Sequence, residues 1–286
     1  MANVVINDTH LNNIAAAIRE KNGSADTYKP SEMAAAITAI TTTPGEGPVV
    51  STIDFDDYIG RNLSGEVEFA CNKVGRYGLA GCNNVTKFTV YGEASGYNAF
   101  TGCSKLQELV LPSATEVGSS SCASLTQLTT VNAPQLTSIN DDAFMNCTAL
   151  TNVTLGNVTV IRDEAFLGCT ALTKIDLGNT EQPHGTYSTW VGPILWSGVF
   201  QECEALTAII IRGKVPCCIR QYACPFPSHF RADYEGLLER GYIYVPRAMI
   251  SEYQNYQGNI YGTSPYYDHF SMMNYRAIED YPEICG

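Results

Sequence analysis

Two adjacent stretches decide the reading: AFMNCTALTNVTLG at residues 143–156 and AFLGCTALTKIDLG at residues 165–178. They align at an offset of 22, sharing Ala-Phe, Cys, Leu and an alternating apolar run. The frame extends in both directions. Leu106, Leu128, Leu150 and Leu172 stand 22 apart. Three of them open the pattern L-x-x-[LIV]-x-[LIV]: Leu106, Leu109, Leu111; Leu150, Val153, Leu155; and Leu172, Ile175, Leu177. The Leu128 unit continues with Val131 and Ala133, and Val85, Phe88 and Val90 come 21 residues ahead of Leu106. Leu206, Ile209 and Ile211 follow Leu172 by 34, one period plus an insertion of 12. That makes six units.

Each unit has a second half. Pro112, Pro134 or Gly156 closes the first short strand, and a pair of residues three apart follows: Ala114 with Val117, Leu136 with Ile139, Val158 with Ile161. An aromatic and a cysteine then precede the next unit: Phe100 and Cys103, Phe144 and Cys147, Phe166 and Cys169, Phe200 and Cys203. Cys82 and Cys122 are read in the equivalent place without the Phe, although Cys122 sits three residues further from its Leu. A unit this short cannot bury its own apolar face; stacked units bury a continuous ladder. Pro and Gly suit the corners, where a donor is not needed or φ is unusual.

One cysteine per rung reads as a ladder of small buried side chains, since free Cys is among the most buried residue types. A metal or disulfide array needs several sulfurs converging on one point. The 286-residue chain has 17 Lys and Arg against 29 Asp and Glu, a net charge of −12. A basic surface for phosphates is therefore lacking, which argues against a nucleic-acid partner. The sequence has no run of about 18 apolar residues, the length needed to span a bilayer, so no membrane insertion is expected. The start, MANVVINDTH, has no secretory signal pattern.

These repeats resemble the BspA-like class of leucine-rich repeats over about residues 78 to 212. The stretch LERGYIYVPRAMISEY (238–253) is similar to the closing segment of such proteins, where a Tyr-Val-Pro strand precedes a short helix ending in Tyr. The resemblance implies a mostly β, curved, right-handed solenoid used for adhesion or protein contact, without enzymatic activity or cofactor. The expected organisation is a two-helix module at 1–43, a linker at 44–50, the solenoid at 51–212 and a Tyr-rich α+β cap at 213–286.

In the N-terminal module, Leu11, Ile14, Ala15 and Ile18 share one helical face, with Asp8 or Thr9 as cap and Gly23 past the end. Pro30 suits the first turn of a second helix, whose apolar stripe is Met33, Ile37 and Ile40. TTTPGEGP at 41–48 reads as linker. The unit LNNIAAAIREKNGSADTYKPSEMAAAITAI is similar to a short module at the start of tailed-phage and prophage virion proteins. That resemblance implies a tail-associated component in which residues 1–43 contact other virion proteins. The alternative is a helical hairpin capping the first rung.

The 12-residue insertion falls in GNTEQPHGTYSTWVGPILWSG (178–198), which holds both Trp of the chain. Insertions in repeat proteins map to loops on one face, often the binding face. Trp and Tyr are enriched at hot spots, so Tyr187, Trp190, Trp196 and His184 are the candidate ligand-binding residues. The other reading for Trp196 is a plug folded onto the solenoid flank. Eleven of the 17 Tyr lie from Tyr222 to Tyr281, suiting a terminal cover or a recognition surface. Cys217, Cys218, Cys224 and His229 form a nominal Cys₃His set, but C-C-x5-C-x4-H is no known finger spacing and adjacent Cys point apart in extended chain. No nucleophile elbow or phosphate loop is present in the sequence, and Asp141–Asp142 reads as turn.

The expected function is non-enzymatic recognition of a bacterial cell-surface protein or glycan by a phage or prophage tail protein, made in the bacterial cytoplasm and carried on the virion. Alternatives are a bacterial surface adhesin binding host proteins, at the cell surface or secreted by a non-standard route, and a carbohydrate-active β-solenoid enzyme. An enzyme of that kind needs paired carboxylates in a groove, and the repeats supply none.

Overall fold

Alternation of apolar and polar residues places every second side chain of a strand on one face, and in this chain that alternation is stacked rung on rung. The computed structural model describes residues 63–69, 71–179, 183–184, 187–191, 193–214, 218–219, 224–236, 240–255 and 273–286, with only the backbone at 183–184, 187–191 and 218–219. The helices expected within 1–43, the linker at 44–50 and Cys217 lie outside the described residues. In chain order the strands are β1 (Ser64–Phe69), β2 (Asn84–Val90), β3 (Glu108–Val110), β4 (Glu116–Val117), β5 (Thr130–Asn132), β6 (Ser138–Ile139), β7 (Asn152–Thr154) and β8 (Val160–Ile161). They continue as β9 (Lys174–Asp176), β10 (Pro183–His184), β11 (Tyr187–Val191), β12 (Ile194–Leu195), β13 (Ala208–Ile210), β14 (Cys218–Ile219), β15 (Tyr242–Val245) and β16 (Tyr275–Ala277).

The first strands of the repeats pair in parallel as β1-β2-β3-β5-β7, and further on as β9-β13-β15-β16. The second strands form the other wall, β4-β6-β8-β12-β14. Register follows the repeat: Leu109, Val131 and Val153 lie opposite one another, as do Ile175, Ile209 and Ile243. The leucine column Leu106, Leu128, Leu150, Leu172 and Leu206 is fully buried. This is the β-rich solenoid of stacked rungs that the spacing predicts.

The return to the next rung is made by a turn with two left-handed residues four apart: Tyr77 and Gly81, Asn98 and Gly102, Ser120 and Ser124, Asp142 and Asn146, Glu164 and Gly168, Gly198 and Glu202. Gly and Asn adopt this conformation at least cost. The turn corrects one assignment. The residue after the second left-handed position is Cys in five turns (Cys82, Cys103, Cys147, Cys169, Cys203) but Leu125 in the third. Cys122 instead occupies the aromatic column with Leu79, Phe100, Phe144, Phe166 and Phe200. A larger residue in one column thus accompanies a smaller one in its neighbour, which is how a close-packed interior keeps its volume.

Parallel pairing also runs past residue 212. Tyr242–Val245 lies beside β13, and Tyr275–Ala277 beside β15. The Tyr-Val-Pro strand is followed by a 3₁₀ turn (Arg247–Met249) and a short helix α1 (Ile250–Gln254), from which Tyr253 is buried. The chain closes with helix α2 (Pro282–Cys285), whose Cys285 packs on Ala208, Ile210 and Tyr244, the outward face of β13 and β15. No helix among the described residues is long and apolar enough to cross a membrane.

Candidate functional site

Among the described residues, the main-chain ladder of the first strands is open at one junction. Leu111, Ala133, Leu177 and Ile211 each donate an N–H to the strand of the following rung, to Asn132, Thr154, Ile210 and Tyr244 oxygens at 2.8–2.9 Å. Leu155 occupies the same position and makes no such bond among the described residues. Likewise Thr129, Thr151 and Thr207 each donate an N–H to the preceding rung at 2.9–3.0 Å, whereas Thr173 does not reach Thr151. No strand pairing joins β7 to β9 among the described residues.

The rest of that junction is closed. The rings of Phe144 and Phe166 stack at 5.2 Å, and Cys169 Sγ donates to the Phe144 oxygen. At the corner, Val158 N–H donates to Leu177 O, and Asn157 Oδ1 accepts the Asn179 N–H at 2.9 Å. A Cβ on Gly178 would stand 2.8 Å from the Gly156 carbonyl oxygen, and its φ is +72°, so only glycine fits this close approach. The opening is therefore a wedge, tight at the phenylalanine column and at the corner, and gaping between the strands. Val153 and Leu155 are half-buried there, while Leu109, Val131, Ile175 and Leu177 are fully covered.

An open surface cleft of about 890 Å³ lies over the gap and extends across the neighbouring rungs, from Pro134 to Arg212. Its floor is Val153 and Leu155, and its walls carry hydroxyl and amide groups, among them Thr151, Asn152, Thr154 and Asn179. Lys174 and Arg212 bring cations to one side. Arg212 Nε donates to Asp176 Oδ2 at 2.9 Å and its Nη2 to the same oxygen at 2.6 Å, while Lys174 Nζ donates to Ile284 O at 2.9 Å. Arg212 also reaches the Cys285 oxygen, so helix α2 pins both cations. The Asp176 hydrogen bonds hold the Arg212 guanidinium above its ordinary pKa, keeping it charged.

The insertion singled out in the sequence leaves the solenoid at Asn179, on the rim of this cleft. Its backbone forms an antiparallel pair, β10 with β11. His184, Tyr187 and Trp190 stand on those strands; their side chains lie outside the description. Trp196 follows on the flank, half-buried, with the Arg162 guanidinium over its ring at 5.1 Å and Ile194 beside it. Of the nominal Cys₃His set, Cys218 is in β14, Cys224 is half-buried with its thiol pushed up by desolvation, and His229 is buried. His229 Nε2 lies 2.5 Å from the Leu206 carbonyl oxygen, so it donates there and is not a free lone pair for a metal. No group of three possible metal ligands forms among the described residues. The cleft itself was missed in the sequence, because TNVTL fits the repeat as well as any rung does.

Among solved structures, a T. pallidum leucine-rich-repeat protein shares 19% identity over 74% of this chain and 91% of its own, with a TM-score of 0.48. A leucine-rich cell surface protein from Faecalibacterium prausnitzii shares 21% identity over 69% of this chain and 59% of its own, with a TM-score of 0.44. No curated protein sequence matches the chain. A model of the BspA-type leucine-rich repeat region matches residues 72–188 in six copies. The rungs within that stretch are thus similar to a leucine-rich-repeat region of the BspA type.

Proposed function

We propose that the protein is a non-enzymatic recognition protein of a phage or prophage tail, its solenoid binding a surface component of a bacterial host and residues 1–43 attaching it to the particle. The observation that carries the recognition role is the opened rung between β7 and β9, a cleft with the aromatic insertion rooted at its rim. A repeat solenoid made only for structure gains nothing from leaving one pair of strands unzipped, since an open edge forgoes ladder hydrogen bonds. The tail assignment is supported by the resemblance of LNNIAAAIREKNGSADTYKPSEMAAAITAI to the virion module. The test is binding of the purified protein to whole cells of candidate bacteria, with Trp190→Ala and Tyr187→Ala measured for binding and melting temperature side by side. Loss of binding at unchanged melting temperature is the expected result. Failure of the wild-type protein to bind any bacterial cell, with binding to animal cells instead, would favour a bacterial surface adhesin.

A further inference from the structure

The functional groups in the cleft are unbalanced, and the imbalance states what kind of ligand fits. Leu155 and Thr173 have N–H groups without a ladder partner among the described residues, on the two strands that flank the gap. Arg212 spends Nε and Nη2 on Asp176 and Cys285, which leaves Nη1 uncommitted by those bonds. Lys174 spends one of its three ammonium donors on Ile284. Among the residues lining the cleft, two cations stand against the single carboxylate of Asp176, with Glu283 nearby on helix α2, in a chain whose overall charge is −12. An excess of donors that includes two cations calls for a ligand rich in acceptors and carrying an anion.

A strand of peptide does not fit between the walls. β7 and β9 still approach within 8 Å between Cα atoms, short of the ~9.6 Å that two inter-strand spacings require. The hydroxyls and amides of Thr151, Asn152, Thr154 and Asn179 instead provide the mixed donor and acceptor rim that sugar hydroxyls match. We infer that the open cleft over the wedge between β7 and β9 binds an acidic saccharide, its carboxylate or phosphate drawn to Lys174 and Arg212 and its hydroxyls set against the Asn and Thr rim. This rests on the recognition role proposed above and names the ligand class.

The experiment uses the full chain. A panel of uronic-acid, sialic-acid and phosphate-bearing oligosaccharides is titrated by calorimetry against neutral counterparts and an oligoglutamate peptide. At least one acidic saccharide binds, its neutral counterpart binds about tenfold or more weakly, and Lys174→Gln and Asn152→Ala each lower its affinity to a similar degree. Both positions are exposed, so melting temperature stays as in the wild type. Equal binding of oligoglutamate, or binding to none of the acidic saccharides, overturns the inference. Whole-cell binding separates the two levels. Cells bound equally by wild type and by both variants refute the cleft while leaving recognition intact, whereas cells bound by neither refute recognition itself.

Discussion

Cys147, Cys169 and Cys203 do more than fill space, because each thiol donates to a carbonyl one rung back, the oxygens of Cys122, Phe144 and Phe166, at 3.1–3.2 Å. Burial pushes the Cys147 and Cys203 thiols up to about 12. Since the thiolate is the reactive species, both should resist alkylation at pH 8 in the native protein and react once it is unfolded; rapid labelling without unfolding contradicts this placement. The sign of the linkage follows. A thiol whose folded pKa is raised stabilises the fold fully below its unfolded value near 9, and that contribution fades as pH rises toward 12. Unfolding midpoints in urea should therefore fall steeply above pH 9. Among the leucines, Leu150→Ala should cost ~2–5 kcal/mol, and Leu155→Ala clearly less, because Leu155 is half-buried in the cleft. Paired denaturation curves check this, and equal losses would remove the distinction. The apolar columns were legible because every third-residue and alternate-residue spacing repeats at 22. Cys122 was not, since the turn that sets its column uses Ser120 and Ser124 at left-handed positions where Gly or Asn would have given the signal.

At the scale of elements, strand positions could be read from one repeat, but pairing could not. Whether β7 zips to β9 depends on both neighbours together, and β9 is committed on its far side to β13 and through Lys174 to the carbonyl of Ile284 in helix α2. The strands β15 and β16 escaped the 22-residue frame because they return after about 33 residues, with YIYV and YRA carrying the alternation. Lys174 and Arg212 come from neighbouring rungs 38 residues apart, so only the stacking brings them together. The segment TTTPGEGP at 41–48 gives a prediction at this scale. Limited proteolysis should nick it first, since exposed Pro, Gly and Thr linkers are preferred sites, and the remaining solenoid should melt as before. A solenoid that unfolds on loss of residues 1–43 would make that module its cap and not its attachment.

Across the whole molecule, the opened rung divides one wall of the solenoid into two stacks, β1 to β7 and β9 to β16, while the second wall continues through β8 to β12 without a break. The aromatic column and the glycine corner hold the stacks together, so the wedge is a built feature of the fold and lies where the insertion departs. Its most direct test is amide hydrogen exchange of the intact protein, resolved to single residues. Ala133 and Leu177 donate across their ladders at 2.9 Å and should be strongly protected, whereas Leu155 and Thr173 should exchange at least ~100-fold faster, as unbonded amides open to solvent do. Leu155 and Thr173 protected to the same degree as Ala133 and Leu177 would mean that the ladder is continuous, and the cleft with its recognition role would fall.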